Sequence, residues 1–164
     1  MAQPKPSLDV LRGISFLKGV ADADLERLAG ISTIRTYKAR EVVFSENENA
    51  HEVFLVIRGG VSVAICAHGV GCRQITVVGE GELLGWSPLV HRRLLSATAY
   101  TMSPTEAVTF GAQALLQLCE ERPQFGFQFM HRTAEVLAER LSSTRMEIFQ
   151  RFGSHLPPIT LESD

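Results

Sequence analysis

The sequence predicts a mainly β domain with helices at both ends. Short apolar runs alternate with turn residues every 8–12 residues or so between residues 31 and 110. No helix-sized insert separates these runs, and the chain after Gly111 has helical spacing almost to its end. Short strands in this order indicate a closed β-barrel or a β-sandwich, and they argue against a doubly wound parallel sheet.

Two short helices are predicted at the N-terminus. Apolar residues recur at helical spacing within residues 8–17, directly after Ser7, whose hydroxyl is suited to an N-cap. A second helix begins at Asp22 or Asp24, either of which can cap it, and ends at Gly30.

About eight short strands follow. The unbroken apolar run Val53–Ile57 predicts a strand buried on both faces, and Asn47 precedes it in a turn that suits a left-handed residue. His68–Gly71 is the predicted tip of a hairpin. The clearest strand runs are residues 31–37, 41–44, 53–57, 61–65, 74–78, 97–102 and 106–110.

Two helices complete the predicted fold. The first spans residues 112–121 and stops at Arg122-Pro123, because proline disfavours helical geometry in the residue before it. The second spans about 124–152 and ends at Gly153. Its apolar stripe comprises Phe129, Thr133, Leu137, Leu141, Ile148 and Phe152. We expect one domain over residues 1–164, with a core at about 8–152 and a tail at 153–164.

Composition narrows the class of protein. The chain has 164 residues, 45% of them hydrophobic, which suits a single domain with a full core. A net charge of −2 argues against a protein that neutralises nucleic-acid phosphates. No run of about 18 apolar residues and no secretory signal is visible. The three cysteines Cys66, Cys72 and Cys119 suit free thiols in a reducing compartment, so a soluble, cytoplasmic location is expected.

The segment Gly79–Ala99, called here the cradle segment, has the composition of an anion-binding loop. It contains a glycine-rich turn, a short helical run, the pair Arg92 and Arg93, and small residues at its exit. Glycine lets the backbone approach a ligand, free N–H groups attract an anion, and arginine adds a fixed charge.

Four sequence markers in order carry a resemblance. They are 41–46 (EVVFSE), 53–59 (VFLVIRG), 79–85 (GEGELLG) and 96–99 (SATA). At these positions the sequence resembles the cyclic nucleotide-binding domain family, the ligand module of catabolite activator proteins and of protein kinase A regulatory subunits. The resemblance covers about residues 8–152. It implies an α+β, mainly β fold: an eight-stranded antiparallel jelly-roll barrel with N-terminal helices and a long C-terminal helix.

The cradle segment departs from the family pattern at two ligand-binding positions. Nucleotide-binding members have a Glu for the ribose hydroxyl after Gly85, where this chain has Trp86, and an Arg for the cyclic phosphate where this chain has Leu95. Charge-assisted contacts contribute about 1.5–3 kcal/mol each. Their loss is expected to weaken cyclic AMP binding by roughly two or more orders of magnitude. Asn47 stands where the family has glycine, and asparagine tolerates the same left-handed turn.

The resemblance still predicts a ligand pocket. Arg92 or Arg93 can supply the missing charge. Residues 85–89 (GWSPL) resemble a variant of standalone bacterial members, in which Trp86 stacks on a base or fills the ribose space and Ser87 donates a hydroxyl. The predicted pocket residues are Gly85, Trp86, Ser87, Arg92, Arg93, Ser96 and Ala97. Three possibilities stay open: cyclic AMP or cyclic GMP, another small ligand, or a degenerate loop in a dimerisation or protein-interaction module.

The remaining patterns predict no enzyme, no metal and no DNA contact. Cys66, His68 and Cys72 offer only three ligands at a spacing unlike common zinc sites, and no His-x-His pair or nucleophile–base arrangement is visible. Eleven residues follow Gly153, far fewer than the DNA-binding module of the family's transcription factors needs. The resemblance implies a non-enzymatic regulatory sensor that forms a homodimer through its long C-terminal helix.

Overall fold

The structure, a computed structural model, describes residues 3–157; the last residues of the predicted tail lie outside this range. Four α-helices and eight strands are present there, joined by 3₁₀ turns at Ser15–Leu17, Ser87–Val90 and Gly153–His155. In chain order the elements are α1 (Leu8–Gly13), α2 (Asp22–Gly30), β1 (Ser32–Tyr37), β2 (Val42–Phe44), β3 (Glu52–Arg58), β4 (Val61–Ala67), β5 (Gly71–Val78), β6 (Leu83–Leu84), β7 (Thr98–Thr101), β8 (Thr105–Gly111), α3 (Ala112–Glu121) and α4 (Pro123–Phe152).

The eight strands form two four-stranded antiparallel sheets. Their orders are β1-β8-β3-β6 and β2-β7-β4-β5, so most neighbours in space are distant in sequence. This arrangement confirms the predicted jelly-roll fold with helices at both ends. Strand β6 lies inside the cradle segment and was not predicted, because two residues are too few to show a period.

Strand β3 connects the two halves of the hydrophobic core. Val53 and Leu55 belong to the cluster under the helices, whereas Phe54 and Val56 belong to the cluster inside the barrel. Alternate side chains of a strand point to opposite faces, so an unbroken apolar run is needed where both faces are covered. The prediction of a buried, central strand at Val53–Ile57 is confirmed for its buried part, Val53–Val56.

Two turns beside β3 have a left-handed backbone, one of them at Asn47 as predicted. Asn47 has a φ of +67°, and its N–H donates to the carbonyl of Leu95 at 2.9 Å. Gly59 has a φ of +93°, and a Cβ added there would lie 2.6 Å from Oγ1 of Thr105. Both the angle and the lack of space require glycine between β3 and β4.

The N-terminal helices differ from the prediction at one cap. The Ser7 hydroxyl accepts a hydrogen bond from the N–H of Val10, as predicted. In α2, however, the N-cap is Ala21, which makes no side-chain cap. The predicted aspartate caps are wrong because the two carboxylates accept from guanidinium groups instead, Asp22 from Arg12 and Asp24 from Arg122.

Only the first part of α4 is packed into the core. Its buried residues are Phe125, Gly126, Phe129 and Thr133, and α3 approaches so closely that a Cβ on Gly126 would lie 2.5 Å from the carbonyl oxygen of Cys119. Beyond Arg140 every residue of the helix is exposed. The predicted apolar stripe is therefore buried at its start and exposed at its end. Within residues 3–157, no helix has the length and hydropathy to cross a membrane.

The hairpin of β4 and β5 corrects one expectation. Free thiols were predicted for all three cysteines, but Cys66 and Cys72 form a disulfide across the hairpin. They are directly opposed in the antiparallel register, with their Cα atoms 3.9 Å apart, so pairing follows from the register of the strands. Cys119 is a free cysteine.

Candidate functional site

A cavity of about 440 Å³ lies between the barrel and α4. Three walls enclose it: the cradle segment, the barrel residues of β2, β4 and β5, and the inner face of α4. Its volume is within the range of pockets that hold small organic ligands, about 300–1,000 Å³. The barrel wall is largely apolar and consists of Phe44, Val63, Ile75, Thr76 and Val77.

Gly85 brings the backbone of the cradle segment against β3. Its φ is +74°, and a Cβ at this position would lie 3.0 Å from Cδ2 of Phe54 and 3.2 Å from the carbonyl oxygen of Glu52. Glycine alone adopts this angle readily without a steric cost. The chain therefore turns sharply after β6 and enters the cavity wall as main chain.

The helical run of the cradle segment is a single 3₁₀ turn, Ser87–Val90. Ser87 is 5% exposed and lines the cavity, and its carbonyl accepts from the N–H of Arg92 at 3.1 Å. The turn ends at His91 in a left-handed conformation, φ +57°. Trp86 is half-buried between the cavity and the core cluster under the helices.

The exit of the cradle segment is fixed by backbone hydrogen bonds to the turn after β2. The N–H of Ala50 donates to the carbonyl of Arg93 at 2.8 Å, and the N–H of Leu95 donates to the carbonyl of Glu48 at 2.9 Å. This pairing turns Leu95, only 7% exposed, into the cavity and leaves Arg92 and Arg93 in solvent.

The structure thus brings most of the predicted pocket together. Arg92 and Arg93 do not line the cavity. The predicted residues that do line it are Gly85, Trp86, Ser87, Ser96 and Ala97. The backbone of the cradle segment therefore forms part of the cavity wall. The two arginines that the sequence suggested as its positive charge lie outside the cavity.

Arg140 of α4 is the cationic side chain among the cavity residues that the structure describes. Its Nη2 donates to the carbonyl of Leu83 at 2.8 Å. Burial lowers the pKa of Arg140, and the negative charge of Glu82 offsets part of this decrease. A guanidinium stays protonated in proteins, so Arg140 places a fixed positive charge beside the cradle segment.

The inner face of α4 adds polar groups to the site. The lining residues recur three and four apart, which places them on one face of the helix. They are Val136, Glu139, Arg140, Ser143, Thr144 and Glu147. Polar residues at this spacing were visible in the sequence. They could not be distinguished from an ordinary solvent-exposed helix face, because the sequence does not show the cavity beneath them.

The polar side chains around the cavity are those of an organic-ligand site. Among residues 3–157, no three His, Cys, Asp or Glu side chains lie close enough together to bind a metal ion. The polar groups of the cavity are hydroxyls, carboxylates and one guanidinium, which suit hydrogen bonding to an organic ligand.

Comparison with known proteins identifies the family. The model of the cyclic nucleotide-binding domain matches residues 34–122, just over half of the chain. The chain belongs to the cyclic nucleotide-binding domain family. The matched range runs from β1 to the residue after α3 and includes the whole cradle segment, so the resemblance drawn from the four sequence markers is confirmed.

Relatives of this family show the same fold. A curated relative, the cyclic AMP receptor protein of Thermus thermophilus, is 24% identical over 138 residues, and the match spans 84% of this chain and 62% of that protein. A cyclic nucleotide-binding domain from Methylobacillus flagellatus superposes with a TM-score of 0.69 at 19% identity, covering 94% of this chain and 84% of the other.

The catabolite activator protein of Thermus thermophilus superposes with a TM-score of 0.68 at 24% identity. The match covers 81% of this chain and 61% of that one. At this identity the likeness establishes the fold of the cyclic nucleotide-binding domain. The site has to be judged from its own residues.

Proposed function

We propose that this chain is a non-enzymatic regulatory module that binds a cyclic nucleotide, cyclic AMP or cyclic GMP, between the cradle segment and α4. One observation carries the proposal. The cavity stays open at about 440 Å³ although Trp86 and Leu95 replace the usual carboxylate and guanidinium. A degenerate loop would instead let these two large side chains fill the site.

In this proposal Arg140 provides the charge that Leu95 cannot. A guanidinium has five N–H donors, and one of its nitrogens is engaged with the carbonyl of Leu83, so others are free for the cyclic phosphate. A charge-assisted hydrogen bond is worth about 1.5–3 kcal/mol. The cradle segment then contributes backbone around Gly85 and the hydroxyl of Ser87 rather than a charged side chain.

The rest of the nucleotide meets groups of matching chemistry. Trp86 offers an indole face for stacking on a base or for covering the ribose. Thr144 and Ser143 present hydroxyls, and the carboxylates of Glu139 and Glu147 accept hydrogen bonds from amino or hydroxyl groups. Three carboxylates, of Glu82, Glu139 and Glu147, and one guanidinium line the cavity. A ligand with a single negative charge and several hydrogen-bond donors therefore suits the cavity better than a dianion.

The proposed mechanism is a shift between two positions of α4. The second half of this helix has no buried residue, and Arg140 joins it to the cradle segment through the carbonyl of Leu83. A ligand bound between the two would favour the state in which α4 lies on the barrel. The position of the outer face of α4 would report occupancy to a partner.

We propose that this partner is a second copy of the chain. The outer face of α4 exposes large apolar side chains, which water disfavours. They are Leu141 at 57%, Met146 at 57%, Ile148 at 47%, Phe149 at 63% and Phe152 at 55% exposure. In this proposal the protein is a cytoplasmic homodimer of one domain over residues 1–164. It acts through protein contacts and does not bind DNA.

A second function, an interaction module that binds no nucleotide, is favoured by the same exposed face and by the apolar Leu95 at the phosphate position. Calorimetric titration with cyclic AMP and with cyclic GMP separates the two. Saturable heat with either nucleotide indicates the sensor, and flat titrations with both contradict it and leave the interaction module.

Matched arginine variants locate the binding site. Arg140→Ala is expected to weaken binding by about 10- to 100-fold, from the loss of one charge-assisted contact. Arg145→Ala removes the same charge from the same helix outside the cavity and should change the dissociation constant by less than about threefold. Equal effects of the two variants would show that Arg140 acts only through net charge. Arg92→Ala and Arg93→Ala should behave like Arg145→Ala.

A further inference from the structure

The outer part of the β4–β5 hairpin projects from the barrel without a core of its own. Residues 61–64 of β4 are buried, whereas every residue from Ile65 to Ile75 is exposed. An isolated two-stranded hairpin is marginally stable in water. Apolar burial therefore cannot hold these two strands together beyond Ala64.

A covalent link stands where burial is missing. The disulfide between Cys66 and Cys72 joins opposed residues near the end of the hairpin, and both residues are exposed. Closing a loop with a sequence separation of 6 shifts its opening equilibrium by about 10- to 100-fold toward the closed form. The disulfide therefore keeps the two strands of the outer hairpin paired.

The same strand forms part of the cavity wall. The register shifts between Val63, which faces Thr76, and Ala64, which faces Gln74, so Ile75 has no direct partner. Ile75 and Thr76 both line the cavity. Strand β5 is also the edge of its sheet and pairs on one side only, with β4. The ladder is thus interrupted at Ile75, where the outer hairpin meets the cavity wall, and an edge strand separates most easily at such a point.

We propose that Cys66 and Cys72 form a reversible thiol–disulfide exchange site whose oxidation state sets the order of the β5 wall. The co-reactant is a small thiol. Its thiolate attacks one protein sulfur and breaks the S–S bond, and the released cysteine takes a proton from water. A second small thiol resolves the mixed disulfide, so two small thiols are oxidised to one small disulfide as the pair is reduced to two thiols. A small disulfide reverses the reaction.

Exposure makes both steps accessible to a reagent in solution. The third cysteine, Cys119, lies in α3 where α4 packs against it, and burial raises the pKa of its thiol to about 11, which keeps it protonated and unreactive near neutral pH. The exchange site is therefore confined to the hairpin. The ordering of the wall does not depend on which ligand the cavity takes, so this proposal stands or fails separately from nucleotide binding.

Hydrogen exchange measured by mass spectrometry tests the proposal on the full chain. The protein is oxidised with glutathione disulfide or reduced with dithiothreitol, and thiols are counted after rapid denaturation. We expect reduction under native conditions to expose two further thiols and to speed exchange in residues 72–77 by about 10- to 100-fold. Reoxidation should restore the slow exchange.

Two variants complete the experiment. The double variant Cys66→Ser with Cys72→Ser should exchange like reduced protein under both conditions, and Cys119→Ser should respond like the unaltered chain. Exchange in residues 72–77 that is identical in the oxidised and reduced protein would overturn the proposal. So would a hairpin disulfide that neither forms with glutathione disulfide nor opens with dithiothreitol while the protein stays folded.

Discussion

Replacing Gly85 with alanine tests the backbone geometry on which the site depends. The φ of +74° costs a residue with a Cβ about 1–2 kcal/mol. The added Cβ would also lie 3.0 Å from the Phe54 ring and 3.2 Å from the Glu52 carbonyl oxygen, and overpacking of this kind costs about 1–3 kcal/mol. We expect Gly85→Ala to lower the free energy of unfolding by about 2–5 kcal/mol in total.

Urea denaturation followed by circular dichroism measures this loss. With a slope of about 2 kcal/mol per molar urea, the midpoint should fall by about 1–2.5 M. Gly30→Ala is the matched control, because Gly30 ends α2 with nothing within 4 Å of the added Cβ and no positive φ. It should change stability by less than about 1 kcal/mol. If Gly85→Ala unfolds at the same midpoint as the unaltered chain, the close approach of the cradle segment to β3 is wrong.

Two further predictions concern Cys119 and the outer face of α4. Burial raises the pKa of Cys119 from 9.0 to about 11. The protonated thiol therefore contributes its full stability below pH 9, and this contribution is lost as the pH rises toward 11, because the unfolded chain ionises first. Cys119→Ala should flatten the fall in urea midpoint over this pH interval. Leu141→Glu with Phe149→Glu should convert a dimer to a monomer in sedimentation velocity, whereas Val42→Glu, an equally exposed apolar site on β2, should not. A monomeric unaltered chain would contradict the dimer.

Most of the fold follows from local sequence patterns. An unbroken apolar run indicated the position of β3, and the left-handed turn at Asn47 followed from residue type. Strand β6 was missed because its two residues are defined by pairing with β3 rather than by any pattern of their own. The predicted caps of α2 failed because distant arginines compete for the two aspartates.

The site was predictable only where it is continuous in sequence. Gly85, Trp86 and Ser87 are neighbours, so one segment revealed them. Arg140 reaches the cavity through the packing of α4, and no local pattern reports a contact with Leu83, 57 residues earlier. The sequence instead drew attention to Arg92 and Arg93, whose exposure follows from backbone pairing with the turn after β2.

The disulfide shows a similar limit. A count of three cysteines describes what is common in a cellular compartment, and it says nothing about which residues the strands bring together. The register of β4 and β5 places Cys66 opposite Cys72, and the single shift at Val63 and Ala64 is part of that register. Strand register depends on the whole sheet and cannot be read from six residues.

A crystal structure of the chain grown with cyclic AMP would show whether the cavity binds a cyclic nucleotide. We predict nucleotide density inside the cavity, between the Gly85 backbone and α4, with the cyclic phosphate beside the Arg140 guanidinium. A cavity in which Trp86 or Leu95 takes the place of the phosphate, or a nucleotide bound away from the cradle segment, would contradict the account.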